Sequence, residues 1–176
     1  MLRTFLRSAL LVVMTMLPLA GSAQDYPSKP VTMIVAFPPG GPADLNARLF
    51  ARSLSEDLGK PVVVQNKPGA GGSIGARAAA AADPDGHTIF YNTSAIITSQ
   101  ALQADPDTDP AKVFVPVALT AAVPLVLVVT PSMPVKNVRY LIQYASAHAG
   151  ELNYSSAGTG TITHLAPALF ALQSGI

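Results

Sequence analysis

The run Val31-Thr32-Met33-Ile34-Val35-Ala36-Phe37-Pro38-Pro39-Gly40-Gly41-Pro42-Ala43-Asp44 decides how this chain is read. Its opening, Val31 to Ala36, is a short apolar, β-branched run of the kind that forms a buried strand. Beyond it, Leu45, Leu49, Leu54 and Leu58 recur at helical spacing, and Gly59 follows as a stop. The Pro/Gly segment therefore turns a strand into a helix. Gly40 and Gly41 allow backbone angles that other residues resist and leave the main chain uncovered. Pro42 suits a first helical turn, where its missing N–H would have had no partner. A helix start with bare amides and a positive dipole end can receive an anion. The same spacing also suits a plain strand-to-helix connection, and both readings stand at this point.

Outward from that turn the alternation continues. Pro61 to Gln65 reads as a second strand, followed by the glycine-rich loop Asn66-Lys67-Pro68-Gly69-Ala70-Gly71-Gly72 and an alanine-rich helix over 73–82. Asp83-Pro84-Asp85-Gly86 closes it, His87 to Tyr91 is a third strand, and Asn92-Thr93-Ser94 stands at its end. Alternating strands and helices predict a parallel sheet flanked by helices. Ligands of such sheets bind beyond the carboxyl ends of the strands, where all three polar loops fall. Val115 to Val129 is apolar but carries Pro116 and Pro124, so two strands or a crossing between lobes is expected rather than one strand. A helix over 138–149 is set off by Asn137 as N-cap and stopped by Gly150. Leu152 to Ser155 reads as a strand. Ser156-Ala157-Gly158-Thr159-Gly160-Thr161 then repeats the opening device and runs into a helix over 163–173. Two such turns in separate lobes could close on a ligand from both sides.

Met1 to Ala23 stands apart: Arg3 and Arg7, an apolar centre from Ala9 to Leu19, then Gly21-Ser22-Ala23. That is the pattern of a cleaved secretory signal peptide. Without Arg3 and Arg7 the formal charge is near −1, and no basic cluster remains to engage nucleic acid. The chain has no cysteine, which excludes disulfides and thiolate chemistry. A secreted, disulfide-free chain with 49% hydrophobic residues fits a bacterial periplasmic protein that relies on its core.

Catalysis has one literal motif. Gly71-Gly72-Ser73-Ile74-Gly75 matches G-x-S-x-G, which makes a secreted serine hydrolase using Ser73 the alternative function, with His87 or His164 as conceivable bases. The motif demands a strand running directly into the serine, and here a loop intervenes, so Ser73 is expected to cap the following helix instead. Neither glycine turn completes a dinucleotide fingerprint. The three histidines have no metal-ligand spacing, and no cofactor or metal is expected. His164 could donate to a ligand or cap its own loop. Asp44 could stabilise its helix start, hold the loop or touch a ligand.

Several ordered motifs then resemble one family. Tyr26-Pro27-Ser28-Lys29-Pro30, with Ile34-Val35 and Phe37 to Asp44, is similar to the mature start of the Bug family, the periplasmic solute-binding proteins of tripartite tricarboxylate transporters. Asn66 to Gly72, Asp83-Pro84-Asp85-Gly86-His87-Thr88 and Val123-Pro124-Leu125-Val126-Leu127-Val128-Val129 resemble its following signatures. Leu152-Asn153-Tyr154-Ser155-Ser156-Ala157-Gly158-Thr159-Gly160 with His164-Leu165-Ala166 resembles its second ligand loop.

The resemblance implies an α/β, two-lobed periplasmic binding protein of βα repeats and mainly parallel sheets, without catalysis. A first lobe would span 24–120 and a partial second lobe 121–176. The expected ligand is a small carboxylate: a di- or tricarboxylate, an acidic amino acid or an aromatic acid. It would be delivered by a monomer to membrane permease subunits, although a sensor role is also conceivable. Pro39, Gly40, Gly41 and Ala43, with Asp44, would form one jaw. Ser156, Gly158, Gly160, Thr161 and His164 would form the other, and Asn92, Thr93 and Ser94 would support the first. Family members are roughly twice as long, so the second lobe is expected to be incomplete here. Residues 24–176 alone are then expected to bind ligand weakly or not at all.

Overall fold

The computed structural model describes residues 25–103 and 106–176, so the expected signal peptide over 1–23 lies outside the described residues. Strand β1 (Val31–Val35) is the centre of a three-stranded sheet. It pairs in parallel with β2 (Val62–Asn66) on one side and β3 (Thr88–Tyr91) on the other. The register sets Val31 opposite Val62, and Met33 opposite both Val64 and Ile89. A central strand is covered on both faces, which is why Val31, Met33, Ile34 and Val35 are all buried, with only the half-buried Thr32 interrupting the apolar run.

Helix α1 (Pro42–Leu58) closes one face. Its Ala47 and Ala51 are small enough to seat the helix on Met33 and Val35, with Leu54, Val62, Val64 and Ile89 around them. Pro42 opens the helix and Gly59 ends it in the left-handed conformation at φ 63°, as the sequence implies. Strand alternation puts Ile34 and Ala36 on the opposite face, under helix α2 (Ser73–Ala80). There a Cβ on Gly75 would stand 2.9 Å from the Ala36 Cα, so only glycine permits this helix–strand approach.

Helix α3 (Ala95–Gln103) follows β3, an element that sequence patterning does not announce. A 3-10 turn over 106–108 leads to the short α4 (Pro110–Val113), which Asp109 caps by accepting the Ala111 N–H at 3.1 Å.

Beyond Val113 the expectations fail in part. Neither Val115–Val129 nor Leu152–Ser155 forms a strand. Phe114 stacks on Phe90 with ring centroids 5.2 Å apart, and the Thr120 hydroxyl meets the Tyr91 hydroxyl at 2.9 Å. Between these two anchors the segment lies open, with Val115, Val117 and Leu119 at least 87% exposed. A strand persists only where a neighbour completes its backbone hydrogen bonds, and no described segment pairs with these two. Helix α5 (Val138–Ala147) does form, with the Asn137 side chain accepting the Tyr140 N–H at 3.0 Å as expected. Helix α6 (Ile162–Ser174) ends on Gly175 in the left-handed region. Neither α5 nor α6 buries a residue, and the buried aliphatic core side chains among the described residues fall between Val31 and Ala95. No helix among these residues is long and apolar enough to cross a membrane.

Candidate functional site

Three loops meet at the carboxyl edge of the sheet. The first follows β1 and is braced from beneath by Asp44. Its carboxylate, on a residue only 2% exposed, accepts the Gly40 N–H at 2.8 Å, Arg48 Nε at 2.9 Å and Asn66 Nδ2 at 2.9 Å. Asn66 Nδ2 also donates to the Phe37 carbonyl at 3.0 Å, while Arg48 Nη2 donates to Asn66 Oδ1 at 3.1 Å. The Arg48 guanidinium, then the Gly40 amide and the Asn66 amide, hold the Asp44 carboxyl well below the usual carboxylate range. Asp44 is thus a positioning group whose acceptors are engaged by its own loop, its own helix and Asn66.

The same geometry narrows the predicted jaw. The Gly40 N–H is taken by Asp44, and Pro39 and Pro42 have none to give. Ala43 and Asp44 keep first-turn N–H groups that no intrahelical carbonyl reaches. Gly40 sits at φ 82°, and a Cβ there would meet no atom within 4 Å, so its glycine answers to backbone conformation alone.

The second loop, Asn66 to Gly72, has four successive residues at positive φ: Gly69 122°, Ala70 48°, Gly71 65° and Gly72 103°. It comes against the third loop so closely that a Cβ on Gly71 would stand 2.2 Å from the Thr159 carbonyl oxygen. Between the loops lies a cleft of about 370 Å³, within the ~300–1,000 Å³ usual for small-molecule sites. Ala36, Phe37 and Pro38 line it from the first loop, Pro68 to Gly72 from the second, and Ala157 and Gly158 from the third. Of the predicted site residues Gly158 alone is in this lining; Pro39, Gly40, Gly41 and Ala43 continue the first turn past Pro38.

The third loop satisfies much of its own backbone. The Ala157 N–H donates to Thr163 Oγ1 at 3.0 Å, Gly158 N–H to Ser156 Oγ at 3.3 Å and Thr161 N–H to the Gly158 carbonyl at 3.2 Å. The Gly160 N–H donates to His164 Nδ1 at 3.4 Å, so in the neutral ring Nδ1 caps the loop and Nε2 carries the proton. The predicted second jaw is therefore a self-braced turn. Helix α3 ties it to the second loop, with Ser99 Oγ donating to the Gly71 carbonyl at 3.3 Å and Thr98 Oγ1 donating to the Gly160 carbonyl. Asn92, Thr93 and Ser94 are not in the cleft lining: Thr93 Oγ1 accepts the Ala95 N–H at 3.2 Å at the start of α3, and Asn92 Oδ1 is buried near Gly72.

The serine elbow does not assemble. Ser73 is the first helical residue of α2, behind Gly72 as N-cap, and the expected side-chain cap is absent. It lines a small cavity of about 10 Å³, room for about one water molecule, with Ser99, Gln100 and Thr108. His87 stands at the opposite, amino end of β3. There its Nε2 accepts the Ser28 N–H at 3.2 Å and its Nδ1 lies 3.1 Å from the Asp85 carbonyl.

Sequence reasoning missed Asn66 and Arg48 as the brace, although the four-residue spacing of Asp44 and Arg48 on one helix face was a usable signal. It also missed Ser99 and Thr98, which carried no local signal.

A strand-turn-helix edge with three converging polar loops is the architecture on which the comparisons bear. The family model for the tripartite tricarboxylate transporter family receptor matches residues 46–176. The chain belongs to this receptor family. Among relatives of the receptor family, Protein BugT of Bordetella pertussis is 42% identical over 157 residues, covering 88% of this chain and 48% of BugT. The solved structure of R. palustris Rpa4515 with adipate aligns with a TM-score of 0.82 at 38% identity, covering 86% of this chain and 51% of that one. MatC from Rhodopseudomonas palustris with bound malate aligns with a TM-score of 0.74 at 31% identity, covering 86% and 52%. Periplasmic binding protein BugD aligns at 0.74 and 34%, covering 86% and 50%. The chain thus spans about half the length of the receptors it matches, and its fold is the α/β periplasmic-binding-protein type.

Proposed function

We propose that this chain carries the ligand-capturing cleft of a periplasmic receptor that takes up a small carboxylate for a tripartite transporter. In this reading residues 24–120 are the first lobe and 121–176 part of the second, entering through a cleaved signal peptide over 1–23. The observation that carries it is the cleft itself, an opening of about 370 Å³ at the carboxyl edge of a parallel sheet, walled by three backbone-rich loops. Support comes from relatives whose structures hold adipate and malate. The first-turn amides of α1, which follow Pro38 of the lining by a few residues, are neutral donors able to hold an anion without a salt bridge. Binding is expected to be weak, because the third loop's amides are engaged within the loop.

Amide chemical-shift mapping on residues 24–176 with adipate and with malate tests this reading. Shifts concentrated at 36–45, 68–72 and 157–164, saturating in the millimolar range or below, are the expected result. Uniform or absent shifts up to the solubility of the acids would overturn it.

A further inference from the structure

Resting on the carboxylate-binding reading above, we propose that the cleft selects an acid with an apolar body and disfavours every carboxylate beyond the first, tricarboxylates most. Every residue of the lining is uncharged, and Ala36, Phe37, Pro38, Pro68, Ala70 and Ala157 present apolar side chains. Lys67 is next to Pro68 in the chain but is not in the lining. Arg48, the guanidinium nearest the first turn in sequence, is held by Asp44 and Asn66. Neutral amides can bind a carboxylate at the rim, but each further carboxylate drawn into this wall leaves water without meeting a counter-charge.

Ala70 adds an independent observation. It is the one non-glycine at positive φ among the described residues, at 48°, with glycines at 69, 71 and 72 around it. A Cβ is disfavoured in that backbone, and glycine would relieve it. Ala70 is also one of the residues that line the cleft, where an apolar ligand body would lie against it.

Glutarate and tricarballylate make a decisive pair of probes, since they share a five-carbon backbone and differ by one carboxylate. Shift mapping on residues 24–176 at neutral pH and matched ionic strength should give half-saturation with glutarate at a concentration at least tenfold lower than with tricarballylate. Ala70→Gly should raise the glutarate midpoint by about threefold to fivefold without lowering the melting temperature. Lys67→Gln should leave that midpoint within about twofold. Equal or tighter binding of tricarballylate, or loss of binding in Lys67→Gln, would overturn the selectivity while leaving carboxylate capture standing. If neither acid shifts the cleft amides, the carboxylate reading falls and this inference with it.

Discussion

At the scale of single residues the clearest finding is the position of Asp44. A carboxylate in a first helical turn is favourable by itself, and sequence alone left open whether it touched ligand. The structure buries it and surrounds it with Gly40, Arg48 and Asn66. Those donors hold its carboxyl well below the ordinary range, so at pH 3–4 the unfolded chain binds the proton more readily than the folded one. The stability it contributes is therefore fully present above about pH 4 and is lost progressively as pH falls further. Asp85 adds to the same acid limb, with its carboxyl lowered to about 2 by the Lys29 ammonium, 2.8 Å away, and by the His87 amide. Asp44→Asn should lower the melting temperature at pH 7 by about 5 °C. Calorimetric scans at pH 7, 4 and 2.5 should show the gap between variant and parent closing toward the acid end. A gap independent of pH would mean that the shape of Asp44, and not its charge, braces the turn.

At the scale of elements, helix α3 is the part that joins the loops. Its adjacent residues Thr98 and Ser99 donate to carbonyls of the third and second loops, Gly160 and Gly71. Neither contact belongs to the sheet or its core. Thr98→Val combined with Ser99→Ala keeps the side-chain sizes close while removing both donors. Each lost bond is worth about 0.5–1.5 kcal/mol, so amides at 158–161 should exchange with solvent roughly 3- to 10-fold faster. Amides of β1 should keep their protection. Mass-resolved hydrogen exchange checks this, and unchanged exchange at 158–161 would show that the glycine contacts alone hold the loops together. Helix α3 is hard to see in the sequence because its apolar residues Ile96, Ile97 and Leu102 do not recur cleanly on one face. The helices α1 and α5 announced themselves by leucine spacing and by the Asn137 cap.

At the scale of the whole molecule the interior is one-sided. The buried apolar side chains cluster around β1, whereas 115–129 exposes Val115, Val117, Leu119 and Val123 to solvent. Exposed apolar runs of this kind promote association and dye binding. Val117→Lys with Leu119→Lys should therefore reduce binding of a hydrophobic dye and raise the concentration at which the chain aggregates. The melting of the sheet should move by no more than about 0.5 kcal/mol, because neither side chain packs on the core. Light scattering with dye fluorescence measures both effects. A large loss of stability would instead place these side chains in a contact that the native fold depends on.

The alternation of strand, glycine-rich turn and helix from Val31 to Tyr91 was legible because each of its signals is local. β-branched runs, helical leucine spacing, proline at a helix start and glycine at a helix end act within a few residues of themselves. The ordered motifs that mark the receptor family were legible for the same reason. Only tertiary structure decided which groups meet across the chain, since Thr98 bonds Gly160 from 62 residues away and Ser99 bonds Gly71 from 28. It also decided that Asp44 faces inward, that the third loop engages its own amides, and that 115–129 forms no strand. Local propensity proposes a strand or a donor, but a strand needs its neighbour, and a donor serves a ligand only where no acceptor of the protein has reached it first.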